Sequence, residues 1–260
     1  MWRVLLSLAL LAQQPETMSL LEKPLYAPRL SGEERLRREA DVAQARAAYQ
    51  RDPASVDAAI ALSRAEMAIG RVGNAQEILT HALEAKPDDP KLALERGRTL
   101  IVVRKFELAA KALARPAETL PEARCALGVA EYLAASYTRA RDAFTKCEQP
   151  GIFGYLAEAR TGSPHTAPPP VSREPTRDAS VIRMPGAPTK PGPPMRLPLE
   201  AIYLDAVERS IKGDAEGARG LLKQIVEKDQ DRWMDPVYIA AEVDYAAILK
   251  AEGKRRKKKE

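Results

Sequence analysis

Few residues of this chain have the types and spacing that chemistry requires. The two histidines, His81 and His165, fall in different contexts, and no serine or cysteine is arranged with either in a recognisable triad pattern. There is no G-x-x-x-x-G-K-[ST] phosphate loop, no G-x-G-x-x-G and no H-E-x-x-H. The paired acids Asp88-Asp89 precede Pro90, where capping of a helix start explains them. The two cysteines, Cys125 and Cys147, read most simply as small buried apolar side chains. The alternative is a disulfide, if the protein is exported. No C-x-x-C or Cys/His cluster offers a structural metal site, so we expect no catalysis, no metal, no cofactor and no small-molecule substrate. One charged cluster remains: Lys254, Arg255, Arg256, Lys257, Lys258 and Lys259. It suits a plain solubilising end, or an anionic membrane surface or polymer, at about 1 kcal/mol per cation near acidic lipid. It also suits RNA or DNA with a steep salt dependence, although no aromatic side chain is interleaved for base stacking.

That tail holds the whole charge excess. Residues 254–260 carry six cations and one anion, and removing these from totals of 41 and 36 leaves 35 of each sign. A neutral body argues against nucleic-acid binding by the folded part. Aromatics are 5% of the 260 residues, while Ala, Leu, Glu and Arg dominate, which favours helices packed through small and aliphatic contacts.

The rest of the chain is organised by a repeat. Residues 56–89 read as two helices, with Ala59, Leu62 and Ser63 in the first and Val72, Ala75, Leu79 and Ala82 in the second, ending at Pro87. A slide of 34 places Gly97, Phe106, Ala109 and Leu113 on Ser63, Val72, Ala75 and Leu79; a further slide of 31 places Gly128, Tyr137, Ala140 and Phe144 there. Such a period marks stacked helical hairpins. The three-residue deletion falls between Leu113 and Gly128, at a turn marked by Pro116 and Pro121. Before the array, Ser31 and Glu34 form a capping box that opens a helix from Glu33 to about Arg51, a half-repeat covering the first full one.

These features resemble the tetratricopeptide repeat family, most specifically over residues 56–148 and less so at 33–53 and after 199. The sequence departs from the pattern at Arg96, where an aliphatic residue is usual, and at Pro116, so distortion of the middle repeat is expected. The resemblance implies an all-α, right-handed α-solenoid of helix-turn-helix repeats, acting as a binding scaffold without catalysis. It also implies that the first helix of each pair lines a concave face. The matching positions are Asp57, Ile60, Arg64 and Met67, then Lys91, Leu94, Arg98 and Ile101, then Glu122, Cys125, Val129 and Tyr132. This is an apolar floor on which Arg64 and Arg98 could engage a peptide carboxylate bidentately. The competing reading leaves both arginines solvated or paired with Glu66 or Glu95. The asparagine and lysine of the family's chaperone-tail clamp are absent.

The flanks complete the organisation. Residues 1–14 hold one cation, an apolar run from Val4 to Ala12 and then Gln13, which resembles a short secretory signal; the alternative is a cytoplasmic protein with an apolar start. Residues 15–32 should be an extended lead-in and 33–160 the helical array. Residues 161–198 contain 11 prolines and should form an extended linker. Residues 199–252 read as a helical hairpin plus a capping helix that packs back on the array, and 253–260 as the basic tail. Together these features lead to the expectation of an exported adaptor of a bacterial-type cell envelope, in the periplasm or secreted, that binds a protein or peptide. The runner-up is a cytoplasmic nucleic-acid- or ribosome-associated repeat protein that uses its basic tail.

Overall fold

The computed structural model describes residues 14–162, 169, 171 and 198–257, with side chains as far as Lys254. The apolar start, nearly all of the proline-rich segment and residues 258–260 lie outside the described residues, so the expected signal, linker and tail end are not addressed by it.

Helix α1 (Gly32–Arg51) opens where expected, with the Ser31 hydroxyl accepting from the Glu34 N–H at 3.2 Å. Three hairpins follow: α2 (Val56–Ala68) with α3 (Val72–Ala85), α4 (Pro90–Val102) with α5 (Phe106–Ala114), and α7 (Pro121–Leu133) with α8 (Tyr137–Phe144). Their starts carry the local signals of the sequence. The Ser55 hydroxyl caps α2, the Asp89 carboxylate accepts from the N–H groups of Lys91 and Leu92, and Pro90 and Pro121 sit in first turns, where their missing donors cost nothing. Pro116 ends α5 early and begins a separate single turn, α6 (Pro116–Thr119), so the shortened connection of the second repeat is itself helical. Neighbouring elements pack in sequence, α1 on α2, α3 on α4, α5 on α7 and α8 on α9 (Gly151–Arg160). The chain is an all-α helical-repeat array.

The repeat registers are steric. Gly97 lies under Leu113 and Gly128 under Phe144, so that a Cβ added to Gly128 would stand 2.6 Å from Phe144 Cε1. The large partner fills the space that the small residue leaves, and Leu79, Leu113 and Phe144 are all buried. The turns repeat as strictly. Gly70, Arg104 and Ala135 occupy equivalent positions and all adopt the left-handed conformation, with φ of 82°, 62° and 57°. In each turn the following N–H returns to the carbonyl five residues earlier: Arg71 to Glu66, Lys105 to Leu100 and Ser136 to Glu131. Only the first turn uses glycine, so the other two carry strain.

After the proline-rich segment, α10 (Leu199–Ile211) and α11 (Ala215–Lys228) form a fourth hairpin with the same turn: Gly213 has φ 85° and Asp214 N–H returns to Arg209 O. A single 3-10 turn (Gln230–Arg232) leads into α12 (Pro236–Lys257). This unit is not separate from the array. Helix α10 packs on α9, α12 contacts α4 and α7, and one apolar cluster takes in residues from Leu25 to Tyr245. The expected end of the last helix at Glu252 is corrected: the helical backbone continues through Gly253 to Lys257. A glycine costs about 1 kcal/mol in a helix interior, and the cations beyond it are favourable at a helix C-terminus.

Two further expectations change. The lead-in is not simply extended, because β1 (Thr17–Met18) pairs antiparallel with β2 (Pro24–Leu25). Strands of two residues leave no periodicity to read. The cysteines are not merely two buried apolar side chains: Cys125 and Cys147 form a disulfide, since the third hairpin brings their Cα atoms to 5.0 Å.

Opposite effects follow from the two steric rules. Gly128→Ala should lower stability by about 1–3 kcal/mol through overpacking against Phe144. Ala135→Gly should raise it by about 0.5–1 kcal/mol by removing left-handed strain. Chemical denaturation of both variants reads the two signs directly.

Candidate binding surface

The first helices of the three pairs, α2, α4 and α7, present four rows of equivalent positions, and the structure treats each row differently. The outermost row, Asp57, Lys91 and Glu122, is exposed, and Lys91 Nζ pairs with Asp57 at 3.3 Å. In the next row Ile60 and Leu94 are buried between helices and offer no floor to a partner, while Cys125 is tied to Cys147. The third row holds Arg64 and Arg98, whose side chains are 59% and 42% exposed, and the half-buried Val129. In the innermost row Ile101 and Tyr132 are buried and Met67 is partly covered.

The two arginines meet on one carboxylate. Glu95 Oε1 accepts from Arg64 at 2.5 Å and from Arg98 at 2.8 Å, and Glu95 itself is 8% exposed. Arg98 thus pairs on its own helix and Arg64 across to the next one. The hydrogen bond to Glu95 raises the Arg64 pKa further above its ordinary value. Glu66, the other acid considered for them, is taken by Arg46 of α1, Arg71 and Asn74. What remains at the surface is a pair of guanidiniums bridged by one anion, with a net positive charge and solvent on their outer sides.

The innermost row is covered by the chain's own termini, through polar contacts that the sequence did not announce. Arg104 donates to Glu242 Oε2 through Nε at 3.1 Å and through Nη2 at 2.7 Å, and donates to Trp233 O at 2.9 Å. Its guanidinium lies 5.5 Å from the Trp233 ring centroid. Both charges are withdrawn from water, with Arg104 3% and Glu242 0% exposed. The N-terminal hairpin joins them: Leu20 N–H donates to Glu242 Oε1 at 2.5 Å and Trp233 Nε1 donates to Tyr26 O at 2.8 Å. On the other side of α12, Asp244 pairs with Arg160 and accepts from the Tyr203 hydroxyl at 2.9 Å. Arg160 also donates to the hydroxyls of Tyr132 and Tyr137, and the Tyr132 and Tyr203 hydroxyls share a bond of 3.0 Å. Burial pushes the Asp244 carboxyl above its ordinary range, against the pull of Arg160. Burial likewise raises the Tyr132 and Tyr203 hydroxyls well above the usual phenol range, raises Tyr137 above it, and raises Tyr238 to about 12. One signal for this cluster was present in the sequence: Arg104 occupies the turn position that Gly70 and Gly213 fill with glycine.

Among the described residues no group of three or more His, Cys, Asp or Glu is placed to hold a metal ion. No described helix is long and apolar enough to cross a membrane. Lys254 is exposed, and the rest of the basic cluster lies beyond the described side chains.

Stacked hairpins with a charged, partly open helix face define a helical-repeat interaction protein. The tetratricopeptide repeat family model matches residues 38–95, which span most of α1, the whole first hairpin and the start of α4. That segment is similar to the tetratricopeptide repeat family, and the later hairpins repeat its turn at the same register. No curated protein and no solved structure matches the chain.

Removing one partner of the enclosed pair should be costly and removing an exposed one should not. Glu242→Ala strands Arg104 and should cost about 3–5 kcal/mol. Arg115→Ala, at the exposed pair with Asp88, should cost less than about 1 kcal/mol. The tyrosines set an alkaline limit. Their folded pKa values lie above the unfolded value of about 10, so their contribution is complete below that pH. It is lost as pH rises toward the folded values, about 12 for Tyr238. Absorbance titration of phenolate with circular dichroism should show ionisation and unfolding together, and Tyr203→Phe should weaken that coupling.

Proposed function

We propose that the protein is a non-catalytic scaffold, exported to the cell envelope, that holds a protein or peptide partner along the open rows of α2, α4 and α7. The observation that carries the binding reading is the Arg64–Glu95–Arg98 arrangement. Each guanidinium commits one nitrogen to Glu95 and faces solvent with the rest, at equivalent positions on adjacent helices. An extended segment with an acidic side chain or a terminal carboxylate fits there, because its carboxylate gains charge-assisted hydrogen bonds from two preorganised donors. Arg98 and Arg64 are exposed enough to be reached, and the Asp57–Lys91 row continues the strip outward. Tetratricopeptide repeats commonly bind protein partners, which agrees with this use.

Two features support export. The run from Val4 to Ala12 has the composition of a secretory signal, and the Cys125–Cys147 disulfide suits an oxidising compartment. The basic cluster Lys254–Lys259 then supplies loose attachment to an anionic membrane surface or polymer.

Arg64→Glu combined with Arg98→Glu should abolish in-cell crosslinking to the partner; the variant should stay helical by circular dichroism but melt lower, because buried Glu95 loses both of its cations. Unchanged capture would dispose of the arginine strip. N-terminal sequencing should find a mature start near Gln13, and an intact Met1 or Met18 would refute export. Reduction of the disulfide, whose cysteines are 22 residues apart, should lower stability by about 3 kcal/mol.

A further inference from the structure

The hairpin of β1 and β2 turns apolar side chains to water. Cross-strand partners share a face, so Thr17 stands with Leu25 and Met18 with Pro24. Leu25 is buried in the main apolar cluster, which leaves Met18 and Pro24 on the outer face. Leu20 and Tyr26, two residues on from each, are exposed as well. An antiparallel pair packed on one face normally presents polar residues on the other. Of the six large apolar side chains exposed among the described residues, three lie between Met18 and Tyr26. That is a cluster, not the ordinary scatter of single apolar residues over a surface. The hairpin is also fixed in place. Leu20 N–H donates to Glu242 Oε1 at 2.5 Å, Trp233 Nε1 to Tyr26 O at 2.8 Å, and Gly73 N–H to Glu16 Oε2 at 3.3 Å. Glu242 belongs to α12, the helix whose end carries the basic cluster. From Glu242 to the exposed Lys254 is about 18 Å of helix.

We infer that the outer hairpin face and the basic end of α12 form one docking surface for an anionic lipid bilayer, with Met18, Leu20 and Tyr26 entering the boundary between headgroups and acyl chains. The inference rests on the reading of Lys254–Lys259 as a contact for an anionic surface, names that surface as a membrane, and adds the apolar half of the contact. Glu22 and Lys23 at the hairpin tip cancel, so the attraction comes from the cations of the tail. Such a tail alone attaches loosely, and salt removes it. Stable attachment at a membrane surface takes two signals, and an apolar contact beside a polybasic one supplies the second. Tyr26 suits the boundary, because its ring is apolar and its hydroxyl can stay wet. A protein partner fits less well. A stable protein interface covers about 800 Å² on each side, and the outer side chains of two short strands fall far below that.

The test is flotation of the chain from Gln13 onward with vesicles of phosphatidylcholine alone, or of equal parts phosphatidylcholine and phosphatidylglycerol. Wild type should partition at least tenfold more strongly onto the mixed vesicles. Met18→Ser combined with Tyr26→Ser should lose at least tenfold of that partition while keeping its melting curve, since both side chains are exposed. Lys257→Glu, Lys258→Glu and Lys259→Glu together should lose as much. In a Met18→Trp variant, brominated acyl chains should quench the new indole, which attachment through the tail alone would not produce. Unchanged flotation of the serine variant, or an unquenched indole, would overturn the inference and leave the tail reading intact. Unchanged flotation of the tail variant would sink the tail reading itself, and with it the two-part surface. Flotation on neither vesicle, with Met18-dependent crosslinking to a protein instead, would refute the membrane as the occupant.

Discussion

The array depends on how closely the second helix of each pair can approach the first. At Gly97 and Gly128 no side chain intervenes, and Leu113 and Phe144 descend onto the backbone. This close crossing fixes the angle between the helices, and the angle fixes where the next pair must stack. A left-handed residue then closes each turn at a constant offset, so hairpin after hairpin leaves in the same direction. The regular stacking is thus a consequence of a few missing methyl groups and of a turn repeated at positions 70, 104 and 135.

The same geometry explains how the termini come to rest on the array. A turn that returns its N–H groups to its own helix leaves side chains at the turn free to face outward. Arg104 uses that freedom. Its cation is desolvated by α12, Trp233 and the N-terminal hairpin, and a single carboxylate on α12 compensates it. A buried pair of this kind contributes little net stability compared with an apolar substitute, but any displacement of the helix along its axis would separate the charges. The contact therefore specifies register. The Arg160, Asp244, Tyr132 and Tyr203 cluster does the same on the opposite side, with hydroxyls sharing the load that no single hydrogen bond could carry.

Periodic features were legible in the sequence, and single events were not. Ser63, Gly97 and Gly128 announce the helix crossings because a steric requirement recurs at a fixed interval, and the caps at Ser31 and Asp89 are local chemistry between residues two or three apart. The fourth hairpin was visible for the same reason, through Gly213. By contrast, Arg104 meets Glu242 across 138 residues and Arg160 meets Asp244 across 84, and neither pairing leaves a trace in local pattern. The matching positions on the first helices fall into rows, but register alone does not say which row stays open. Ile60 and Leu94 turn into the interhelical core, and Tyr132 is covered from outside.

The disulfide shows where sequence pattern and energetics part. As small side chains, Cys125 and Cys147 needed no bond, since the third hairpin already has Phe144 packed on Gly128 and Leu133 in the core. That hairpin nonetheless has the shortest second helix of the three, with α8 only eight residues long. A helix of that length is marginal by itself, and it supports α9, on whose last turn Arg160 depends. Linking Cys147 to α7 fixes the exit of α8 where the chain leaves the repeat register. The bond thus steadies the base on which α9 packs, and α9 in turn carries Arg160 to Asp244 of α12.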